Sequence, residues 1–407
     1  MTAVTPTGPH LLLIGGKDSG FASIAELAIR VTLIQERKNL SARQTGHATN
    51  LVVVEQLTPA TITAVARALH TVDPFTAVLS FYEPYLQVAS EIGATLGIAH
   101  NPVDAVRVTR DKVAMRALLV ARGLPTVRYT SCTSVDDVAA FRAEVDGPVI
   151  LKPTDGSGSR GVVKVDAGAD VDAAWAWCVA GGSGAGIAEE FVEGQEYSIE
   201  SLTLDGRHEV LAVTAKLTSG APSFIEVGHH LPAPIDEATR KLLDETVLGL
   251  LDAIGHRWGP AHTEIVVTDT GQPVIIETQT RFGGDQIWEM TQAVTGAALA
   301  AETAAGILGL PAPDRRPCAG GAAIRFFAHE SVHVTAIGDV DAARAMPGVV
   351  RIEMRATPGA RVGRLTSSWS RQGYVLAYGS DVAEAITRAT TAKAAVGMVV
   401  EPVSAAP

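Results

Sequence analysis

A chain of 407 residues is too long for one ordinary hydrophobic core, and roughly two to four domains are expected. Its 47% apolar and 19% charged content describes a soluble globular protein: it holds no uninterrupted apolar window of about 18 residues for a membrane span, and its three scattered cysteines are too few for a disulfide framework or a zinc site. A net charge of −11 argues against nucleic acid as a main partner, the start MTAVTPTGPH lacks the basic region of a secretory signal, and the reducing cytoplasm is the expected location.

The run from His10 to Gly16 reads as a short apolar strand ending in glycines, and Gly20 to Arg30 reads as a helix after it. Such a β-Gly-α opening can receive an anion at the helix N-terminus, although the full dinucleotide fingerprint is missing. Apolar runs at Leu51–Val54 and Ala77–Ser80 alternate with helical stretches at Ala60–Leu69 and Pro84–Leu96, which predicts a small parallel sheet covered by helices. Glu83, just past one strand, would face a ligand crevice or simply start a helix. A further helix begins near Thr109 and ends at Gly123-Leu124-Pro125, with Lys112 in its first turn, where a cation opposes the helix dipole.

Gly147 to Pro153 is a strand carrying one lysine, Lys152, and Thr154 to Val162 follows with three glycines and two serines among small side chains. A loop of this kind lets backbone N–H groups approach phosphate and can move as a lid, whereas a plain hairpin turn needs fewer small residues. It lacks the ending of a Walker A loop. Gly186 to Glu200 passes from strand through Glu-Gly to strand; backbone at Glu190 to Val192 can bond a purine edge and Glu196 can accept from ribose hydroxyls. Strands at Glu209–Thr214 and Phe224–Val227 carry or precede Lys216, Glu226, His229 and His230. Ala167 to Ala185, rich in Ala and Gly, predicts a helix and loop.

Glu264–Thr268 and Pro273–Glu277 flank Asp269-Thr270-Gly271-Gln272, the composition of a tight hairpin. Pairing those strands brings Glu264 and Glu277 side by side. Like charges so close repel unless a cation lies between them, and carboxylate oxygens are what Mg²⁺ takes; two solvated acids at a hairpin end are the alternative. Gln279 can add a carbonyl oxygen, and Arg281 follows as a fixed positive charge.

Taken in order, the lysine before a glycine-rich loop, the run E-E-F-V-E-G-x-E-Y-S and the two glutamates thirteen apart resemble the ATP-grasp superfamily over roughly residues 105–300. The resemblance implies an α/β and α+β multidomain protein: a Rossmann-like pre-ATP-grasp domain at 1–105, a linker and small lid subdomain at 106–190, a large subdomain with the metal site at 191–315, and a biotin carboxylase-like C-terminal α+β lobe at 316–407. It implies that Lys112 and Lys152 contact the nucleotide. Ser157, Gly158, Ser159 and Gly161 would close over the phosphates. Glu189, Glu190, Phe191 and Val192 would hold adenine, with Glu196 on the ribose. Glu264 and Glu277 would bind a pair of Mg²⁺ ions, or Mn²⁺, with Gln279 standing where many members have Asn and reaching one methylene further.

Ser223 to Pro232, with Arg281-Phe282-Gly283-Gly284-Asp285 later, is similar to the L-amino acid ligases that make dipeptides, among the carboxylate–amine ligases of natural-product pathways. By that similarity Glu226 faces an α-amino group, His229 lies near the amine–carbonyl junction and Arg281 stabilises the acyl phosphate, with Lys216 completing the catalytic set. The expected activity is ATP-dependent, ADP-forming ligation of a carboxylate to an amine, with amino acids as substrates and a homodimer as the default assembly. A carboxylase or formate-using transferase of the purine type and a non-catalytic nucleotide-binding module are the competing readings. Strands at Gly321–Phe327, Val349–Arg355 and Tyr374–Tyr378 and helices at Asp339–Ala345 and Val382–Ala395 complete the chain; Arg325 borders the site or is structural.

Overall fold

The computed structural model describes residues 8–403. The first sheet is wholly parallel, with strands Asn50–Val54, Arg30–Glu36, His10–Ile14 and Ala77–Leu79 in that spatial order. Here the predicted helix over Gly20–Arg30 is corrected. The helix is Asp18–Ile24, and Arg30–Glu36 is a strand that the chain-order reading missed. Val31 to Ile34 is a continuous β-branched and leucine run covered on both faces, the pattern of a central parallel strand, which lacks the alternation that marks a one-sided strand.

A second sheet of four strands has the order Tyr129–Cys132, Gly186–Glu190, Val149–Pro153, Val163–Val165. Its apolar face is covered by helices Val135–Val145 and Val171–Ala180 through Val138, Phe141, Ala174 and Cys178. The third sheet has eight strands: Pro273–Gln279, Trp258–Thr268, Gly194–Leu204, Arg207–Thr218, Glu226–Leu231, Gly321–Phe327, Gly373–Gly379 and Val349–Met354. The last three strands come from the C-terminal segment, so that part of the segment extends the large sheet. Glu226, His229 and His230 therefore lie inside a strand, where the sequence placed a strand ending at Val227. Strands Val332–Ala336, Arg361–Val362 and Val399–Pro402, which the sequence also left out, form a small sheet of their own.

Helix Glu237–Ile254 carries Leu243, Val247, Leu250, Leu251 and Ile254, spaced to make one apolar stripe, and buries it on Ile199, Val213, Ile265 and Ile275 of the large sheet. Helix Lys112–Ala121 adds Met115 and Leu119 to the same core, and Asp111 caps it by accepting from the N–H groups of Val113 and Ala114. Helix Leu299–Ile307 packs Ala300, Ala304 and Ile307 against Leu11 and Leu13 of the parallel sheet. That contact, with Phe81 stacked on Phe282 at 4.9 Å between centroids, fixes the N-terminal sheet against the end of the Pro273–Gln279 strand.

Candidate active site

Glu264 and Glu277 are direct cross-strand partners in the hairpin, so their side chains share one face of the sheet. A cleft opens beside Glu277, lined by Glu83, Lys112, Asp155, Gly156, Glu277 and Gln279 among others. Gln279 donates from its amide nitrogen to Glu277 at 2.7 Å, while its amide oxygen is buried with no hydrogen-bond partner among the described residues. Among those residues no three His, Cys, Asp or Glu side chains gather to hold a metal ion. Two carboxylates and an orphaned amide oxygen nevertheless fit a hard divalent cation that keeps water and phosphate oxygens for its other positions.

Lysines neutralise these acids. Lys216 Nζ lies 2.5 Å from Glu196, 2.7 Å from Glu264 and 3.6 Å from Glu226. Burial alone would lower its pKa, but the three carboxylates outweigh that and raise it well above the lysine range; Lys216 is a permanent cation and no base. Burial raises the Glu196 carboxyl, which Lys216 only partly offsets. Glu196, assigned to ribose, thus has one oxygen engaged by Lys216. Lys112 reaches both sides of the cleft, donating to the Gly156 carbonyl at 2.8 Å and lying 3.6 Å from Glu277.

Lys152 is paired with Glu189 at 2.6 Å, and Arg116 holds the same carboxylate from the other side with Nε at 2.8 Å and Nη2 at 3.0 Å. The Glu189 side chain is therefore a buried structural anion, and its backbone lies in the ladder between Tyr129 and Ile150. The N–H groups of Glu190 and Phe191 already bond the carbonyls of Arg128 and Pro148, which narrows the expected purine-binding stretch. The N–H of Val192 has no partner among the described residues.

The glycine-rich loop places Gly158, Ser159 and Gly161 at φ of 65°, 56° and 76°, in the left-handed region. A Cβ on Gly161 would come within 2.8 Å of Pro153 and 2.9 Å of the Cys178 carbonyl. Gly161→Ala is expected to destabilise the lid lobe by about 1–3 kcal/mol while leaving the Glu264/Glu277 hairpin folded; thermal unfolding followed with Trp175 and Trp177 fluorescence checks this. The loop also touches the C-terminal segment, where the Ser368 N–H donates to the Gly158 carbonyl at 3.2 Å.

On the far side, Arg281 donates to Glu83 from Nε at 2.8 Å, with Nη2 2.7 Å from the same oxygen, so the crevice residue of the parallel sheet meets the end of the hairpin. Glu226 accepts from Ser368 Oγ at 2.5 Å. His229 Nε2 is 3.2 Å from Asp285, and Arg325 donates to the His229 carbonyl at 3.0 Å. Burial pushes the neighbouring His230 down to about 4, which leaves it neutral.

An ATP-grasp domain model matches residues 145–289, and the L-amino acid ligase C-terminal domain 2 model matches residues 325–401. The chain carries an ATP-grasp domain. The ATP-grasp match covers the glycine-rich loop, the hairpin and Arg281, and the second match covers the segment that supplies Ser368. Among curated relatives, an uncharacterized protein, y4rH, of Sinorhizobium fredii is 26% identical over 74% of this chain and 63% of its own length. Formate-dependent phosphoribosylglycinamide formyltransferase of Geobacter metallireducens is 24% identical over 98% of this chain and 99% of its own. Alanine–anticapsin ligase of Bacillus subtilis is 26% identical over 48% and 45%. This chain thus spans less than two thirds of the first of these relatives and under half of the third. The fold matches L-amino acid ligase from Bacillus licheniformis with a TM-score of 0.80 at 22% identity, covering 97% of this chain and 99% of that one. It also matches carboxyaminoimidazole ribonucleotide synthase from Aspergillus clavatus, solved with ATP, at 0.74 and 16% identity over 96% and 98%. The ATP-grasp fold with a biotin carboxylase-like neighbourhood agrees with the architecture expected from sequence.

Several groups at this ATP-grasp site escaped the sequence reading. Arg116 stands four residues after Lys112 on one helix face, a spacing that offered a signal. Asp285 lies in a stretch already singled out for its resemblance. His262, bonded to Glu200 and 3.3 Å from Glu264, is two residues before a predicted ligand; burial would lower its pKa, but Glu200 and Glu264 raise it to about 9. Arg371 and Ser368 carried no local signal at all. No helix among the described residues is long and apolar enough to cross a membrane.

Proposed function

We propose that this protein is an ATP- and Mg²⁺-dependent, ADP-forming carboxylate–amine ligase that joins two amino acids, or an amino acid and a related amine, through an acyl phosphate. The single observation that carries the reading is the pairing of Glu264 with Glu277 beside Lys112 and the glycine-rich loop, with Arg281 held by Glu83 of the same cleft and Lys216 joining Glu264 to Glu226 opposite His229. Glu264, Glu277 and Gln279 would hold the divalent cations, which when bound neutralise phosphate charge and orient the reacting γ-phosphoryl group. Lys112 and Lys152 add positive charge at the lid side, and the Thr154–Gly161 loop excludes water from an intermediate that hydrolyses. Arg281 braces the acyl phosphate and the oxyanion formed when the amine attacks. Glu226 holds the incoming ammonium group, and His229 takes its proton.

The test is phosphate release from ATP with Mg²⁺ across a panel of amino acids, singly and in pairs. Release that requires two amino acids and stops with EDTA is the expected result. The formate-dependent relatives that span the whole chain favour one competitor, a formate- or bicarbonate-using transferase on a purine precursor; release with formate or bicarbonate alone would support it. Nucleotide binding without release under any condition would reduce the protein to a binding module.

A further inference from the structure

Two groups that the proposed reaction leaves unexplained stand behind its amine side. Arg371, only 5% exposed, directs Nη1 and Nη2 to the two carboxylate oxygens of Asp285 at 2.8 and 2.5 Å. It also donates to the carbonyls of Ser368 at 2.7 Å and Glu226 at 3.1 Å, and its guanidinium carbon lies 3.6 Å from the centroid of Phe326. Asp285 and Gln286 have φ of 51° and 65°, two successive non-glycine residues in the left-handed region, a conformation that persists only where the surroundings over-determine it. Burial pushes the Asp285 carboxyl up, but hydrogen bonds from His229 and Arg371 outweigh it and keep the group ionised.

An ionised carboxylate only accepts, so the 3.2 Å contact with Asp285 requires the proton of His229 to sit on Nε2. Arg371 holds both Asp285 oxygens, so the carboxylate that orients the imidazole is itself fixed, and in the neutral ring the other nitrogen carries the lone pair. Nδ1 is then the lone-pair nitrogen, and it is buried without a hydrogen-bond partner among the described residues.

We propose that Asp285, clamped by Arg371, is a positioning residue that fixes His229 as the Nε2–H tautomer and reserves Nδ1 for the proton of the attacking amine. The role rests on the ligase reading. In the step it serves, the amine nitrogen bonds to the acyl carbon, the bond from that carbon to the phosphate oxygen breaks, phosphate leaves with the electron pair and the nitrogen's proton passes to Nδ1. The C-terminal segment thereby supports both amine-side residues: Arg371 acts on His229 through Asp285, and Ser368 acts on Glu226 directly.

The experiment uses the full-length protein with ¹⁵N-labelled histidine, the His229 ring signals being assigned by difference from His229→Gln. Wild type is expected to show a protonated Nε2 and a bare Nδ1. Asp285→Gly removes the acceptor that Asp285 gives Nε2, while glycine accommodates the left-handed backbone there, so the proton should divide between the two ring nitrogens. A ring that stays wholly Nε2–H in a folded Asp285→Gly protein overturns the proposal. A second measurement separates positioning from scaffolding. Hydroxylamine traps an acyl phosphate as a hydroxamate with little need for an enzymic base, so Asp285→Gly should retain hydroxamate formation while amino acid ligation falls about 100-fold. Equal losses in both reactions would make Asp285 a structural tether only. Absence of hydroxamate in wild type with every carboxylate tried would overturn the ligase reading and the proton-acceptor role with it, the tautomer still being decided by the ring signals.

Discussion

Arg281→Ala is expected to lower ligation by about 10²–10³-fold while ATP binding survives. Arg281 follows the Pro273–Gln279 strand, and its guanidinium is held on three sides of its fork: Nε and Nη2 on Glu83 and Nη1 on the Phe282 carbonyl at 2.6 Å. A charge fixed in this way needs no reorganisation when negative charge develops on a carbonyl oxygen, which is why such donors act more on the transition state than on the ground state. It stands two residues beyond Gln279, past the proposed metal end of the hairpin, so the nucleotide loses no direct partner. Single-turnover kinetics alongside nucleotide titration separate the two quantities; affinity for ATP that drops in step with turnover would refute the assignment. Glu83→Gln, which frees the same guanidinium without removing it, should cost less in turnover than Arg281→Ala.

The second large effect concerns stability. Glu189→Gln leaves Arg116 and Lys152 as buried cations without their shared partner, and breaking such a set is expected to destabilise the protein by about 3–5 kcal/mol. Arg116 is 1% exposed and Lys152 6%, so water cannot replace the lost charge, although Arg116 keeps bonds to the carbonyls of Ile275 and Ile276. The pH dependence follows from the same geometry. Burial would raise the Glu189 carboxyl, but Lys152 and Arg116 bring it down to about 2 from its ordinary 4.5. A depressed carboxylate stabilises the fold fully above its unfolded pKa and loses that contribution as pH falls through the folded one. Wild type should therefore lose stability between about pH 4.5 and 2 through this group, and Glu189→Gln should flatten that part of the curve. Urea unfolding at several acidic pH values measures it; parallel curves for the two proteins would contradict the arrangement.

Local chemistry in the sequence determined the elements that carry their own punctuation. The hairpin at Asp269–Gln272 and the cross-strand meeting of Glu264 with Glu277 followed from turn residues and a two-residue period. The parallel N-terminal sheet followed from alternating strands and helices, and the glycine-rich loop from a density of small residues after Lys152. The Arg30–Glu36 strand was not legible because a strand buried on both faces carries no alternation. Tertiary structure alone decided who partners whom. Glu189, read as part of a base-binding stretch, became the counter-ion of Lys152 and Arg116, and Lys216 became the shared partner of three glutamates from three strands. Arg371 and Ser368 lie more than 80 residues from Asp285 and more than 140 from Glu226. No periodicity spans such a separation, because contacts of that kind exist only after the eight-stranded sheet has brought its Glu226–Leu231, Gly321–Phe327 and Gly373–Gly379 strands into neighbouring positions.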